Sequence, residues 1–205
     1  LSGLDTALDL DPHALSAGIV RVLDRALADD APAATRLLSE LMAHHKDAAV
    51  LHNLSGTLAI RANRPTQARH AFETALALEP EFVAARVNLG RMMEAAGDRT
   101  GAHRHYDLAL EHSPDDPDAL LGLARLAMDN PQRAIGLLER ARRADPRALK
   151  PRVALAELYL RGRIPHRTKG LEVAREAYAL APHIPGIVTL LGRAELLTGR
   201  GKAAV

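Results

Sequence analysis

Residues 83–116 read VAARVNLGRMMEAAGDRTGAHRHYDLALEHSPDD, and this stretch predicts two amphipathic helices joined by a tight turn. Three small residues stand where the two helices would touch: Gly90, Ala102 and Ala109. Gly97 predicts the turn, because glycine accepts the backbone angles that end a helix. Pro114 stops the second helix, because proline has no N–H to continue the hydrogen-bond ladder. The stretch is therefore predicted to be one hairpin of two antiparallel helices.

The same pattern returns along the chain at intervals near 34 residues. The helix-ending prolines are separated by 34, 32 and 36 residues: Pro80, Pro114, Pro146 and Pro182. The small residue of the first helix recurs five times: Gly56, Gly90, Ala124, Ala156 and Gly192. The second helix repeats a small, a large and a small residue, first at Ala68, Phe72 and Ala75 and next at Ala102, Tyr106 and Ala109. This order predicts one elongated array of helix pairs.

The period and the order of these residues resemble the tetratricopeptide repeat in its bacterial form. The resemblance is strong over residues 47–205 and degenerate over residues 13–46, where the repeat's glycine and proline are missing. It implies an all-α, right-handed superhelical solenoid of antiparallel helix pairs, with about five pairs and a truncated last repeat. We expect a single array over residues 1–205, divided into a degenerate repeat or cap and five further repeats: 13–46, 47–82, 83–116, 117–148, 149–184 and 185–205.

Composition excludes several classes of function. The 205 residues include 27 Lys and Arg and 25 Asp and Glu, a balance that does not favour nucleic-acid binding. No apolar run approaches the roughly 18 residues of a membrane span, so none is predicted. The absence of cysteine excludes disulfides and thiolate chemistry but leaves the compartment open, the cytoplasm or the periplasm of a bacterium.

Charge is distributed unevenly along the array. Residues 1–46 hold seven acids and four bases, a net charge of −3, and residues 131–182 hold twelve bases and five acids, a net charge of +7. One interpretation is an ordinary solvated helix face. The other is a docking patch for an acidic partner, or for the acidic end of a second copy in a self-association.

The family resemblance implies where a partner would bind. In tetratricopeptide arrays the first helix of each pair lines the concave groove, so its exposed residues are candidates for partner contact: Asn53, Thr57, Arg61, Asn88, Arg91, Glu94, Arg125, Asp129, Glu157 and Arg161. Arg91 and Arg125 are 34 residues apart, and we expect them to stack on adjacent repeats and hold carboxylates of an extended peptide. The alternative is that these arginines pair with the groove's own acids.

One known function of the family is not carried over. Some members hold a chaperone's C-terminal carboxylate with Lys, Asn and Arg side chains on three successive first helices. Asn88 matches one asparagine of that pattern, but Asn53 stands in place of a lysine, and Asp118 and Gly122 stand in place of the basic pair.

No residues predict catalysis, a cofactor or a metal site. His103 and His105 are two residues apart, so on a helix they point to different faces, whereas chelation from one helix prefers a spacing of four. Ser55 lies in a helix-packing face, and Met92 and Met93 have the spacing of core residues. The chain is therefore expected to be no enzyme.

The leading hypothesis is a non-catalytic protein–protein interaction scaffold that binds a peptide or helix of a partner in its concave groove. Two alternatives stay open. The first is a substrate-recruiting accessory domain of a larger bacterial enzyme, such as a glycosyltransferase, sulfotransferase or hydroxylase. The second is a periplasmic component of exopolysaccharide export.

Overall fold

The computed structural model describes residues 15–161 and 166–199, and all regular elements in these ranges are α-helices. In chain order they are α1 Leu15–Leu27, α2 Ala31–His44, α3 Ala49–Arg61, α4 Pro65–Leu78, α5 Val83–Ala95, α6 Arg99–His112, α7 Pro117–Leu126, α8 Pro131–Ala144, α9 Leu149–Arg161, α10 Arg167–Leu180 and α11 Pro185–Leu197. The predicted all-α fold is confirmed for these residues. Predictions for residues 1–14, 162–165 and 200–205 lie outside the described ranges.

The helices belong to two compact units, Leu1–Asp98 (unit 1) and Arg99–Val205 (unit 2). In unit 1, α1 packs on α2, α3 packs on α4, and α4 also packs on α5. In unit 2, α6 packs on α7, α7 on α8, α9 on α10, and α10 on α11. Among the described helices, none has the length and apolar character needed to cross a bilayer. The single array and the repeat boundaries stay predictions.

Three helices of unit 1 end in the same way, each followed two positions later by a residue with positive φ. These residues are spaced by 34 positions and have φ of 60°, 55° and 82°: Asp29, Asn63 and Gly97. The next N–H along the chain reaches back into the helix, as Asp98 N does to Met93 O at 2.9 Å. This satisfies an otherwise unpaired carbonyl and turns the chain sharply. Asp and Asn replace glycine here because their short polar side chains tolerate the left-handed conformation.

Glycines allow the paired helices to approach closely. Gly56 of α3 lies against the ring of Phe72 of α4, and Gly122 of α7 lies against the ring of Tyr106 of α6. The first pair lacks the repeat's own glycine, as expected, yet Gly18 of α1 lies directly against Leu41 of α2. That contact is one helical turn before the predicted position, which Val22 fills.

A network of charged side chains joins the helices α8, α9 and α10 of unit 2. Glu176 accepts hydrogen bonds from Arg142 Nη1 at 2.8 Å and from Arg152 Nε at 3.3 Å. Glu139 pairs with Arg142 Nη2 at 2.9 Å and accepts a hydrogen bond from Tyr159 Oη at 3.0 Å. Because Arg152 is only 6% exposed, its charge depends on these partners rather than on water.

The ionisation of Tyr159 provides a test of this network. Burial first, and then the hydrogen bond and the negative charge of Glu139, raise the pKa of Tyr159 to about 12, above the value of about 10 in an unfolded chain. The neutral phenol therefore stabilises the fold fully below about pH 10, and this contribution is lost as the pH rises toward about 12. We expect a tyrosinate absorbance step near pH 12 that is absent from Tyr159→Phe. Identical titration curves for the two proteins would contradict the prediction.

Candidate functional site

A pocket of about 650 Å³ lies in unit 1 where α3, α4 and α5 meet. Its apolar lining consists of Ile60, Pro65, Phe72, Met92, Ala95 and Ala96. Its polar lining consists of Thr57, Thr66, Arg69, Asn88 and Arg91. The volume falls within the range of about 300–1,000 Å³ typical of ligand pockets, and a mainly apolar wall with a few polar groups is their usual composition. This pocket is the candidate site.

Pro65 helps to explain why the pocket is open. The equivalent position in unit 2, 34 residues later, is Arg99, whose Nη2 donates a hydrogen bond to Leu126 O at the end of α7. The corresponding region of unit 2 contains two depressions of about 550 and 230 Å³ that share His103 and Leu126. Tyr106, the counterpart of Phe72, lines neither of them. The short ring of Pro65 thus leaves open the space that a long side chain crosses in unit 2.

Four of the ten predicted site residues are brought together at the pocket. Thr57, Asn88 and Arg91 line it, and Asn53 is joined to them by a hydrogen bond from Asn88 Nδ2 to Asn53 Oδ1 at 2.9 Å. Arg91 Nη1 donates to Asn88 Oδ1 at 3.4 Å. The first helices α3 and α5 therefore present one connected polar rim beside the apolar wall.

Arg61 has a different role from its predicted neighbours. Its Nη2 donates to Ala26 O at 2.9 Å and lies 3.5 Å from Asp29 Oδ1, both at the end of α1. A cation is favourable there because the last carbonyls of a helix lack partners within the helix. Arg61 thereby fixes α3 to α1. Glu94 lies half-buried on α5 and is absent from the pocket lining.

The four predicted site residues of unit 2 do not form one cluster, although Glu157 and Arg161 are neighbours. Arg125 Nη2 donates to Tyr106 Oη at 3.4 Å. Asp129 lines the 230 Å³ depression. Glu157 lies 3.9 Å from Arg161 Nη2 and 3.7 Å from a further cation, Arg193. Since Arg91 and Arg125 belong to different units, their stacking stays a prediction.

Some basic side chains of residues 131–182 form hydrogen bonds that link one helix to another part of the chain. Arg140 Nη2 donates to Pro114 O at 2.8 Å and to Asp115 Oδ1 at 3.1 Å. Arg167 Nη1 donates to Leu197 O at 3.3 Å. These contacts give several bases a structural role. Attraction of an acidic partner to this segment stays a prediction.

Sequence reasoning missed part of the pocket because it considered only the first helices. Arg69 and Thr66 belong to the second helix, and Ile60 was not selected although it ends a first helix. Met92 was assigned to the core; it does pack on the cluster containing Phe72, but it also lines the pocket. A comparison of Pro65 with Arg99 was the sequence signal that could have found this site.

A model of the tetratricopeptide repeat family matches residues 53–117 and 94–131. Tetratricopeptide repeats are thus recognised within residues 53–131. The first of the two matched ranges includes α4 and α5, which both line the pocket. Stacked helical repeats of this kind generally present extended surfaces. The sequence matches no curated protein with significance.

Solved structures with tetratricopeptide-type helices resemble the chain closely in backbone. Yeast Tom70 has a TM-score of 0.80 and 21% identity, covering 97% of this chain and 43% of its own. The Cut9–Hcn1 hetero-tetramer of the APC/C has a TM-score of 0.76 and 16% identity, covering 93% of this chain and 38% of its own. PilF of Pseudomonas aeruginosa has a TM-score of 0.76 and 15% identity, and the match covers 94% of this chain and 88% of the PilF chain.

These similarities confirm the predicted fold class, all-α with tetratricopeptide-type helix pairs. The chain spans less than half the length of the Tom70 and Cut9–Hcn1 chains that it matches.

Proposed function

We propose that the chain is a non-catalytic scaffold that binds an extended peptide or a helix of a partner protein on the face lined by the first helices. We further propose that the pocket between α3, α4 and α5 holds an apolar side chain of that partner. The observation that carries this proposal is the presence of an uncovered apolar wall directly beside the polar rim formed by Asn53 and Asn88.

The apolar wall supplies the driving force for binding. Ile60 is 46% exposed, although it is a large apolar residue, and Pro65 and Met92 continue the same surface. Covering such surface contributes roughly 25 cal/mol for each Å² removed from water. A side chain inserted here would become a buried anchor of the kind that dominates the energy of protein interfaces.

The asparagine pair supports recognition of a main chain. Asn53 accepts the hydrogen bond from Asn88, so its own amide N–H groups remain available as donors. A peptide carbonyl could receive such a bond while the adjacent side chain enters the pocket. Main-chain hydrogen bonds with side chains in pockets are a common mode of peptide recognition. The rigid helices would hold this site in place, so that binding mainly orders the ligand.

Substitution Pro65→Arg tests the proposal by filling the pocket. We expect it to weaken binding of a peptide, selected on the wild-type chain from a displayed random library, by about tenfold, equivalent to about 1.4 kcal/mol. The helices should be retained, because Arg99 shows that arginine is compatible with this position. The measurement is fluorescence anisotropy of the labelled peptide, with circular dichroism as the check on folding.

Pro131→Arg is the matched control, since it also changes a proline at the start of a second helix and adds the same charge. It should leave the affinity within about twofold of wild type. Equal affinity of Pro65→Arg and wild type would show that the pocket does not receive the partner. Failure to select any peptide would contradict the proposed function as a whole.

A further inference from the structure

We infer that the partner segment carries a carboxylate next to its apolar anchor and that Arg69 of α4 binds this carboxylate. The inference rests on the proposed function and identifies the class of partner: a peptide with an Asp or Glu beside a large apolar residue. Arg69 would then determine specificity from the second helix, outside the first-helix positions that sequence analysis selected.

Arg69 lines the pocket but is weakly bonded to the protein. Its Nη2 donates to Met93 Sδ at 3.6 Å, and its Nη1 lies 4.0 Å from Glu73 Oε1. A thioether is a weak acceptor, and 4.0 Å is beyond hydrogen-bond distance. The side chain is 45% exposed. Within residues 15–161 and 166–199, no strong acceptor lies within hydrogen-bond distance of its five N–H donors, and a carboxylate could take two of them.

Two other arginines of the chain, Arg61 and Arg142, are held more firmly. Arg61 donates to a helix-end carbonyl at 2.9 Å, and Arg142 reaches both oxygens of Glu176 at 2.8 and 3.1 Å. Moving either guanidinium to a ligand would break strong hydrogen bonds. Arg69 would exchange a contact with sulfur and a 4.0 Å ion pair with the exposed Glu73, so an incoming carboxylate faces weaker competition from the protein.

The charges around the pocket favour an anion from outside. Its eleven lining residues include two arginines, Arg69 and Arg91, and no acid. In unit 2 the position equivalent to Arg69 is His103, whose Nδ1 lies 2.7 Å from Asp107 Oδ2. Asp129 also lines the adjacent depression there. Unit 2 thus places its own carboxylates close to this position, whereas in unit 1 the residue equivalent to Asp107, Glu73, lies 4.0 Å from Arg69 and outside the pocket lining.

The apolar wall determines what must accompany the carboxylate. A bare acid would leave the surface of Ile60 and Met92 exposed to water and would gain only a partly solvated ion pair, worth little on its own. An apolar side chain covers that wall and lowers the local dielectric, which strengthens the contact with Arg69. The combination of the two groups is therefore the expected recognition element.

A selection with peptides tests this specificity directly. A random peptide library displayed on phage is selected in parallel against the complete wild-type chain and against Arg69→Glu. We expect wild type to enrich peptides with Asp or Glu beside a large apolar residue, and Arg69→Glu to enrich Lys or Arg at the same place. Enrichment of the same peptides by both proteins would overturn the inference.

A double-mutant cycle then isolates the contact between Arg69 and the acid. For a fluorescein-labelled peptide selected on wild type, changing its acid to the amide should weaken binding to wild type about tenfold but hardly affect binding to Arg69→Gln. Arg36→Glu, an exposed arginine on α2, is the control for net charge and should bind normally. Equal loss on wild type and on Arg69→Gln would overturn the inference.

Comparison with Pro65→Arg separates the two proposals. If Pro65→Arg weakens binding about tenfold while Arg69→Glu leaves it unchanged, the pocket is the binding site and the inferred carboxylate contact is wrong. If neither variant affects binding, both proposals fail. Circular dichroism of Arg69→Gln guards against misfolding, which its half-exposed position makes a minor concern.

Discussion

Gly56→Leu is expected to destabilise unit 1 by about 3 kcal/mol, at the upper end of the usual range for overpacking a core. An added Cβ would lie 2.6 Å from Cδ1 and 2.8 Å from Cζ of Phe72, well inside van der Waals contact. Phe72 is only 1% exposed and packs in the cluster of Ala68, Ala75 and Leu89, so its ring cannot turn aside into the adjoining pocket without losing that packing. The two helices α3 and α4 would have to separate, which would also open the cluster formed by Ala68, Ala75 and Leu89.

The midpoint of urea unfolding, followed by circular dichroism, measures this effect. Gly192→Leu is the matched control, because Gly192 holds the equivalent position in α11 but an added Cβ there has no neighbour within 4 Å. Replacing an exposed helical glycine should stabilise the helix by roughly 0.5–1 kcal/mol, since glycine loses more freedom on folding. Equal effects at the two positions would refute the close approach of α3 and α4.

Glu176→Ala is expected to destabilise unit 2 by about 3 kcal/mol. The substitution removes the carboxylate that holds both Arg142 and Arg152, and Arg152 is nearly buried. A buried cation that loses its partner keeps its desolvation penalty, and for this reason breaking one side of such a pair costs about 3–5 kcal/mol. The lower value applies because Arg152 Nη1 still donates to Ala148 O at 2.7 Å and to Asp145 O at 3.3 Å.

Glu172→Ala on the same helix provides the control, because Glu172 is exposed. Its free energy of unfolding should change by no more than about 0.5 kcal/mol. Thermal and urea unfolding of the two variants can be compared directly, since each removes one carboxylate from α10. Similar midpoints for both variants would mean that the network between α8, α9 and α10 contributes little to stability.

The pocket shows how a repeated fold acquires a local site. Pro65 and Arg99 occupy equivalent positions at the start of second helices, and the length of the side chain helps to decide whether the adjoining space is open or crossed. Arg69 and His103 differ in a similar way, one weakly held and the other placed against Asp107. Single residues on a common backbone thus distinguish one repeat from the next.

The sequence predicted the helices and their turns well because repetition adds independent evidence at each position. Gly97 has positive φ, and Pro117 follows the capping residue Asp116, whose side chain accepts from Ala119 N at 2.8 Å. Repeated local signals of this kind are read from neighbouring residues alone. Gly18 was missed because its contact with Leu41 departs from the repeat by one turn.

The candidate site was only partly predicted, for a physical reason. Thr57, Asn88 and Arg91 were found because they lie on first helices, which the family resemblance had marked. Arg69 and Ile60 were not found, because their meeting depends on how α4 lies beside α3 and α5. The repeat period of about 34 residues identifies equivalent positions in the sequence. It does not give the distances between side chains on different helices, which decide whether a pocket is open.

The sequence by itself determined the all-α repeat: its period, its small residues at helix contacts and its turns, all of which follow from local backbone preferences and side-chain size. The tertiary structure alone decided that Pro65 leaves a pocket open, that Arg61 is occupied at the end of α1, and that Arg69 is weakly held above an apolar wall. Those outcomes depend on distances between side chains on different helices, which packing sets and which no local pattern encodes.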